Sequence, residues 1–211
     1  LAIPVLILAS MPAGMATATL TDITKGKVSL ALVITTTTSL LCPFTIPLLM
    51  KYLIGASLPV STYEMLTMLA TIIFIPFAAA FITRKIARKQ IQKTKQYYSS
   101  ISILSIMPLI MGPIAKHSSY FLNNLEKVSY IIVYLFIISA TLHIIGWIMV
   151  FWLKKKEKIA TSITSTYMNS SLAIVFAAKF FGPSVILGVI LYQLPWNTML
   201  IPFRHIIKKL K

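Results

Sequence analysis

The sequence predicts an all-α membrane protein, a polytopic helical bundle, and its composition and segment lengths both indicate this class. Hydrophobic residues make up 57% of the 211 residues, charged residues make up 11%, and the mean hydropathy is +0.85. A soluble domain typically has about 25% charged residues. Seven stretches without Asp, Glu, Lys or Arg are each about as long as the roughly 20 residues that cross a bilayer core. They are residues 1–21, 28–50, 65–83, 96–115, 128–153, 159–178 and 180–203.

The basic residues predict how these spans are oriented. If the first stretch ends on the inside, 16 of the 20 Lys and Arg residues fall in inside loops, and four fall outside. This distribution follows the positive-inside rule. It predicts a multi-pass protein of the plasma membrane with its carboxy terminus inside. It also excludes nucleic acid as the reason for the net charge of +16, because the basic loops are expected to meet anionic lipid headgroups.

The first stretch is interrupted by Ser10-Met11-Pro12-Ala13-Gly14. Proline removes a backbone donor and glycine tolerates unusual dihedral angles, so Pro12 and Gly14 predict a break over residues 10–14. The alternative is a kink in a continuous helix. A true break at membrane depth persists only where it packs in protein or lines a wet cavity.

Four predicted spans follow without a comparable interruption. The first carries Thr35–Thr38, whose hydroxyls either bind a ligand or bond to their own helix, and Cys42, expected as a small buried hydrophobe. The stretch 96–115 is the weakest, because Pro108, Gly112 and Pro113 interrupt its end. His143 lies within 128–153 and is expected to be neutral and hydrogen-bonded, with a proton relay as the alternative.

The sixth stretch, 159–178, contains the polar run Thr161–Ser171. This run predicts a second break, with Thr164 and Asn169 lining a site; small polar residues also serve helix packing in membranes. Paired interruptions in two repeats are the best sequence indication of a transporter's binding site.

A weak internal repeat supports two units of opposite orientation. Each unit has a broken span, one Lys at its exit (Lys25 or Lys179), and a span with a late proline (Pro47 or Pro202). Residues 1–54 would then hold the last two spans of a first inverted repeat, and 55–211 all five spans of a second. We therefore expect a carboxy-terminal fragment of a protein with ten spans, seven of which are present.

Catalysis is not indicated. The sequence has no nucleophile–base pair, no metal-ligand spacing such as H-E-x-x-H and no P-loop, so we predict no enzyme and no cofactor. An intramembrane hydrolase would need Asp22 and His143 on one wet surface, and their spacing does not indicate such a pair. Asp22 is expected to pair with Lys25, with a role as a proton carrier as the alternative.

Several motifs resemble the bile acid:sodium symporter family. Pro12-Ala-Gly14-Met-Ala-Thr17 resembles the family's Pro-Gly-Gly-Thr-Ala-Ser-Asn crossing motif, and Thr24-Lys25-Gly26 resembles its Ala-Lys-Gly. The segment from Thr35 to Leu49 resembles its Thr-x-x-Ser-Thr-Leu-x-x-Pro-x-x-x-Pro-Leu-Leu. Asn169-Ser-Ser-Leu-Ala173 resembles its Gln-Asn-Ser-Gly-Leu-Ala. The resemblance implies ten helices in two inverted five-helix repeats, and sodium-driven uptake of an organic anion where the two broken helices cross.

Four positions depart from the family's sodium-site pattern. Where the family has Asn, Ser, Glu and Gln, this chain has Ala18, Ala31, Thr164 and Met168. Thr17, Thr35 and Asn169 remain as candidate sodium oxygens. A hard cation needs several oxygen ligands, usually with a carboxylate, so sodium is a doubtful co-substrate here. The resulting candidate substrate- and ion-binding residues are Pro12, Gly14, Thr17, Ala18, Thr35, Thr164, Met168 and Asn169.

The predicted function is secondary active transport of a small organic anion by alternating access, with helix N-termini facing the anion's charge. One alternative is an arsenite-type efflux permease, which depends on a cysteine in the first broken helix; that stretch has none. Another is a non-transporting or degenerate membrane subunit. The sequence does not indicate the solute or the oligomeric state.

Overall fold

The computed structural model describes residues 2–55 and 61–209, apart from the side chains of residues 95, 99, 102, 103, 106 and 109. These residues form thirteen α-helices and a 3₁₀ turn at Lys95–Tyr97. The helices are α1 (Ala2–Ser10), α2 (Thr17–Ile23), α3 (Val28–Ile54), α4 (Thr62–Ile86), α5 (Arg88–Thr94), α6 (Tyr98–Lys116), α7 (Ser118–Leu122), α8 (Leu125–Ile148), α9 (Lys155–Thr166), α10 (Ser170–Phe180), α11 (Pro183–Leu191), α12 (Gln193–Thr198) and α13 (Leu200–Lys209). The predicted all-α class is confirmed.

Long apolar helices account for part of the predicted membrane crossings. Among the described residues, α3, α4 and α8 are each long and apolar enough to span a bilayer. The segment from α11 to α13 makes a fourth if it is counted as one span, bent by 42° after α12. Pro202 lies just beyond this bend and has no N–H to donate to the preceding turn. The total of seven spans, the inverted repeat and its boundaries stay predictions, and residues 1 and 211, where the repeats were expected to begin and end, lie outside the described residues.

The helices pack around the two broken segments. Helix α1 contacts α3, α10 and α11, while α2 contacts α3 and α9; α8 also contacts α9. Two of these contacts depend on glycine. A Cβ atom on Gly146 of α8 would lie 2.7 Å from Ser162 Cα, and one on Gly188 of α11 would lie 2.7 Å from Pro4. Small residues at such positions let membrane helices approach closely.

The chain leaves the helical conformation at both predicted interruptions. The first break covers residues 11–16, close to the predicted 10–14. The second covers residues 167–169, whereas the sequence indicated the whole run from Thr161 to Ser171. Helix α9 continues through most of that run, and its threonine hydroxyls bond to carbonyls of the preceding turn. Thr166 Oγ1, for example, donates to Ser162 O at 2.9 Å, which is compatible with a continuing helix.

Candidate functional site

The two breaks cross and bond to each other. Gly14 N–H donates to Tyr167 O and Asn169 N–H donates to Pro12 O, both at 2.8 Å. Together these bonds form a short antiparallel bridge between Ala13 and Met168. Backbone groups that leave a helix inside a membrane need partners, because lipid offers none. Each break therefore supplies partners for the other.

Glycine is required at the centre of this crossing. A Cβ atom on Gly14 would lie 2.9 Å from Tyr167 O and 3.0 Å from Met168 O. Both neighbours are backbone atoms, which cannot move aside as the end of a flexible side chain can. The crossing thus explains why Gly14, and not only Pro12, belongs to the first break.

Helix α3 supports the first break with its threonines. Thr38 Oγ1 accepts a hydrogen bond from Ala13 N–H at 3.2 Å. One turn away, Thr17 Oγ1 and Thr35 Oγ1 lie 2.8 Å apart. Thr17 Oγ1 is also 2.7 Å from Gly14 O, and Thr35 Oγ1 is 2.8 Å from Ala31 O. The structure therefore brings Thr17 and Thr35 together, as expected of two residues of one site.

The oxygens of this cluster are arranged for hydrogen bonds. Their separations of 2.7–2.8 Å are hydrogen-bond distances, so an ion bound by Thr17 and Thr35 would have to replace the contact between them. Ala18 and Ala31 add no side-chain oxygen. Within residues 2–55 and 61–209, no three His, Cys, Asp or Glu side chains form a group that could hold a metal ion. This donor set does not fit a strong cation site.

The second break is stabilised by residues that follow it in the chain. Asn169 Oδ1 accepts a hydrogen bond from Leu172 N–H at 3.0 Å and so caps the start of α10. Tyr192, whose side chain is buried, donates its hydroxyl to Thr166 O at 2.8 Å. Gln193 Nε2 lies 3.0 Å from Ser170 Oγ. Residues that follow α11 in the chain thus fix the geometry of α10's amino terminus.

A cavity of about 490 Å³ lies beside the crossing. The crossing contributes Gly14–Ala16 and Met168–Ser171, α6 contributes Ile110 and Ile114, and the segment 190–197 forms another wall. The lining thus combines apolar side chains with amides and hydroxyls. Among the described residues that line it, none carries a charged side chain. The N-terminus of α10 therefore supplies a partial positive charge in an otherwise uncharged cavity.

The eight predicted binding residues fall into three groups. Gly14, Met168 and Asn169 line the cavity. Pro12, Thr17 and Thr35 do not line the cavity but form hydrogen bonds that support the crossing. Ala18 and Thr164 are not among the lining residues.

Thr164 uses its hydroxyl within α9. Its Oγ1 lies 3.0 Å from Ala160 O and 3.1 Å from Thr161 O, the carbonyls of the preceding turn. Met168, by contrast, has a largely buried side chain in the main hydrophobic cluster, so its part at the cavity includes packing.

Two residues of the site, Tyr192 and Gln193, were not predicted from the sequence. Thr38 belongs to the run Thr35–Thr38 and shares a helix face with Thr35, which it follows by three positions. Tyr192 and Gln193 carry little signal, since a short polar pair in an apolar stretch is common. Their roles depend on contacts with residues more than twenty positions away in the chain.

His143 is buried and hydrogen-bonded, while its neutral charge stays a prediction. Ser162 Oγ donates to His143 O at 2.8 Å, which uses the hydroxyl hydrogen. His143 Nδ1 lies 3.0 Å from the same Oγ, so this nitrogen is the donor of that bond. The ring stacks on Phe203 at 4.2 Å between centroids. His143 therefore joins α8 to α9 and α13.

An ion pair lies close to the position where Asp22 was expected to pair with Lys25. Asp22 meets Lys25 through the backbone, with Lys25 N–H donating to Asp22 O at 2.9 Å. The side-chain pair is Lys27 Nζ with Glu157 Oε1, at 3.1 Å. The hydrogen bond from Lys27 lowers the pKa of the Glu157 carboxyl below its ordinary value. This contact ties the start of α3 to the start of α9.

Known proteins resemble this chain over most of its length. The model of the sodium bile acid symporter family matches residues 1–124, which include the first break and α3. A Bacillus subtilis (strain 168) protein named "Uncharacterized sodium-dependent transporter YocS" is 25% identical over 189 residues. The match covers 87% of this chain and 57% of that protein. The chain thus spans a little more than half the length of the curated relative that it matches.

Proposed function

Because this chain belongs to the sodium bile acid symporter family, we propose that it works as a secondary active transporter that moves a small organic anion by alternating access. The crossing of the two broken helices is the observation that carries the proposal. Two backbone hydrogen bonds join the breaks, and a cavity of about 490 Å³ adjoins them. In secondary transporters, substrates bind where discontinuous helices meet near the middle of the membrane.

The cavity lining supports an amphipathic anion as the substrate. Ile110, Ile114 and Trp196 offer apolar surface, while Ser170 and Ser171 lie in the first turn of α10. Backbone N–H groups and the dipole at a helix N-terminus favour a carboxylate or a similar group. The anion's charged group would lie at Asn169–Ser171 and its apolar part against α6.

Alternating access would require the crossing to hold together while its surroundings move. The bridge between residues 12–14 and 167–169 is short, and α3 braces it through Thr35 and Thr38. In our proposal α1–α2 and α9–α10 move as one body, which opens the cavity first to one side and then to the other. Residues 1–54 would hold the last two spans of the first inverted repeat and residues 55–211 all five spans of the second. The carboxy terminus would lie on the inner side of the plasma membrane.

Whether transport is coupled to sodium is a separate part of the proposal. The relative's name describes a sodium-dependent transporter. In this chain, the candidate oxygens of Thr17 and Thr35 are bonded to each other, and Asn169 Oδ1 caps α10. We propose that sodium coupling is weak or absent.

Uptake by proteoliposomes tests the whole proposal. The complete protein is reconstituted, and labelled taurocholate or a smaller organic anion is added with an inward gradient of sodium, of protons, or of neither. We expect uptake above that of empty vesicles, with little dependence on sodium. Strong sodium dependence would overturn the proposed weak coupling, and absence of uptake for every anion would favour a non-transporting subunit. A Gly14→Ala variant serves as the inactive control.

A further inference from the structure

A second cavity, of about 430 Å³, lies away from the crossing, at the predicted inner face of the membrane. Three parts of the chain form it: the end of α2 with the turn that follows, the first turn of α9, and α13. Its basic lining residues come from all three parts. They are Lys25, Lys155, Lys156, Arg204 and Lys208.

The fold holds these charges close together. Lys25 has a left-handed backbone conformation with φ of 60°, which fixes where its side chain leaves the turn. On α13, Arg204 and Lys208 are four residues apart and so share one face. Phe203 and Ile207 of the same helix are buried in a cluster with Ile159 of α9. Helix α13 is therefore anchored by its apolar side while its basic side borders the cavity.

No acidic residue among those described lines this cavity. Glu157, the acid of the first turn of α9, bonds to Lys27 instead. The positive charges of Lys25, Lys156 and the two basic residues of α13 repel one another unless an anion lies among them. The first turn of α9 adds the positive end of a helix dipole to the same place.

The lining also has an apolar part. Ile23 is 44% exposed, and Ile159 and Ile207 form buried surface under the basic residues. A free inorganic anion has no apolar part that could pack against such a surface. A phospholipid does, because its acyl chains begin next to its charged phosphate. Basic pockets between helices at the cytoplasmic side of a membrane bind anionic lipid headgroups in this manner.

We propose that this cavity binds the phosphate of an anionic phospholipid headgroup. Lys25, Lys156, Arg204 and Lys208 contact the phosphate, and the first part of an acyl chain lies against Ile23. The lipid then joins α2, α9 and α13 at the inner face. This site is separate from the proposed substrate cavity and does not rest on the transport function.

Lipid retention by the complete protein tests the proposal. The protein is purified from detergent micelles that contain equal amounts of phosphatidylglycerol and phosphatidylcholine, and native mass spectrometry measures the bound lipids. A variant with Arg204→Gln and Lys208→Gln loses two charges of the cavity. We expect it to retain roughly 30-fold less phosphatidylglycerol, since each basic side chain near an anionic headgroup contributes a factor of about five.

The matched control carries Lys89→Gln and Lys93→Gln, which remove the same charge from exposed positions in α5 that do not line the cavity. It should retain phosphatidylglycerol as the unaltered protein does. Equal retention by both variants would overturn the site. Competition by millimolar inorganic phosphate, with no preference for phosphatidylglycerol over phosphatidylcholine, would overturn the lipid as its ligand. The thermal unfolding midpoint in pure phosphatidylcholine shows whether the variants are folded. If the first variant is not folded, a variant with Lys25→Gln and Lys156→Gln takes its place.

Discussion

The break between α1 and α2 spans six residues and contains Pro12 and Gly14, whereas the break between α9 and α10 spans three residues with neither proline nor glycine. Residues within the first break themselves end the helix. Proline cannot donate to the preceding turn, and glycine lets another backbone approach. The second interruption is held by partners: Pro12 O, Leu172 N–H and the Tyr192 hydroxyl, which binds the carbonyl at the end of α9.

This difference means that the two breaks should fail in different ways. Changes within the first break act on its own backbone and, through the crossing, on the second. Changes that affect the second break act through its contacts with other segments, or through the Asn169 side chain that caps α10. The following substitutions separate these two cases, from the largest expected effect to the smallest.

Gly14→Ala should have the largest effect. The added Cβ would meet two backbone carbonyl oxygens at 2.9 and 3.0 Å, so the two breaks would have to separate. We expect a loss of about 3 kcal/mol, near the top of the range for overpacking, and loss of transport. The thermal unfolding midpoint in detergent and uptake by proteoliposomes measure these effects.

Gly112→Ala is the matched control, because a Cβ atom there has nothing within 4 Å apart from its neighbours in the chain. In the interior of α6 this change should have only a small effect, because the gain in helix propensity opposes the crowding against Pro113. If Gly14→Ala is as stable as Gly112→Ala, the crossing is not as close as the structure has it.

Tyr192→Phe should have the next largest effect, and it tests whether the second break is held from outside. The change leaves the buried Thr166 O without the hydroxyl that lies 2.8 Å away. An unsatisfied buried acceptor costs about 2 kcal/mol. The unfolding midpoint should therefore fall clearly, whereas Tyr134→Phe, at a side chain that is 54% exposed, should leave it nearly unchanged. Equal midpoints for the two variants would mean that α9 ends at Thr166 without help from Tyr192.

Asn169→Ala should cost about 1 kcal/mol, the usual effect of removing a helix N-cap. Asn169→Asp keeps an oxygen that can accept from Leu172 N–H, so its unfolding midpoint should remain close to that of the unaltered protein. It also places a negative charge at the cavity, so anion uptake should fall although the fold is kept. Full uptake by the Asp variant would remove Asn169 from the proposed binding site.

The smallest effect concerns the ion pair between Lys27 and Glu157. Lys27 holds the pKa of the Glu157 carboxyl below its ordinary value, so the pair stabilises the folded state most above the ordinary pKa of glutamate. This contribution is lost as the pH falls through the lowered pKa of the folded state. Glu157→Gln should therefore reduce the unfolding midpoint slightly at neutral pH and not at strongly acidic pH. A difference that persists unchanged at acidic pH would point to another role for Glu157.

Predictions from the sequence succeeded where the signal is local. Proline and glycine predicted a break over residues 10–14, and the structure has it over residues 11–16. The binding roles of Thr17 and Thr35 stay predictions, although the structure places their hydroxyls 2.8 Å apart. The predictions were less accurate in the run Thr161–Ser171, where polarity indicated a long break. Hydroxyls in a helix can satisfy themselves on the preceding turn, so a polar run by itself does not end a helix.

The amino-acid sequence by itself determined the membrane class of this protein, the family and the place where the first helix must stop, because hydropathy, segment length and proline act through local physics. The tertiary structure alone decided that Tyr167 and Asn169 bond to Gly14 and Pro12 and that the Tyr192 hydroxyl bonds to the carbonyl at the end of α9. These outcomes depend on which partner a backbone group finds once water and lipid are excluded, and those partners lie far away along the chain.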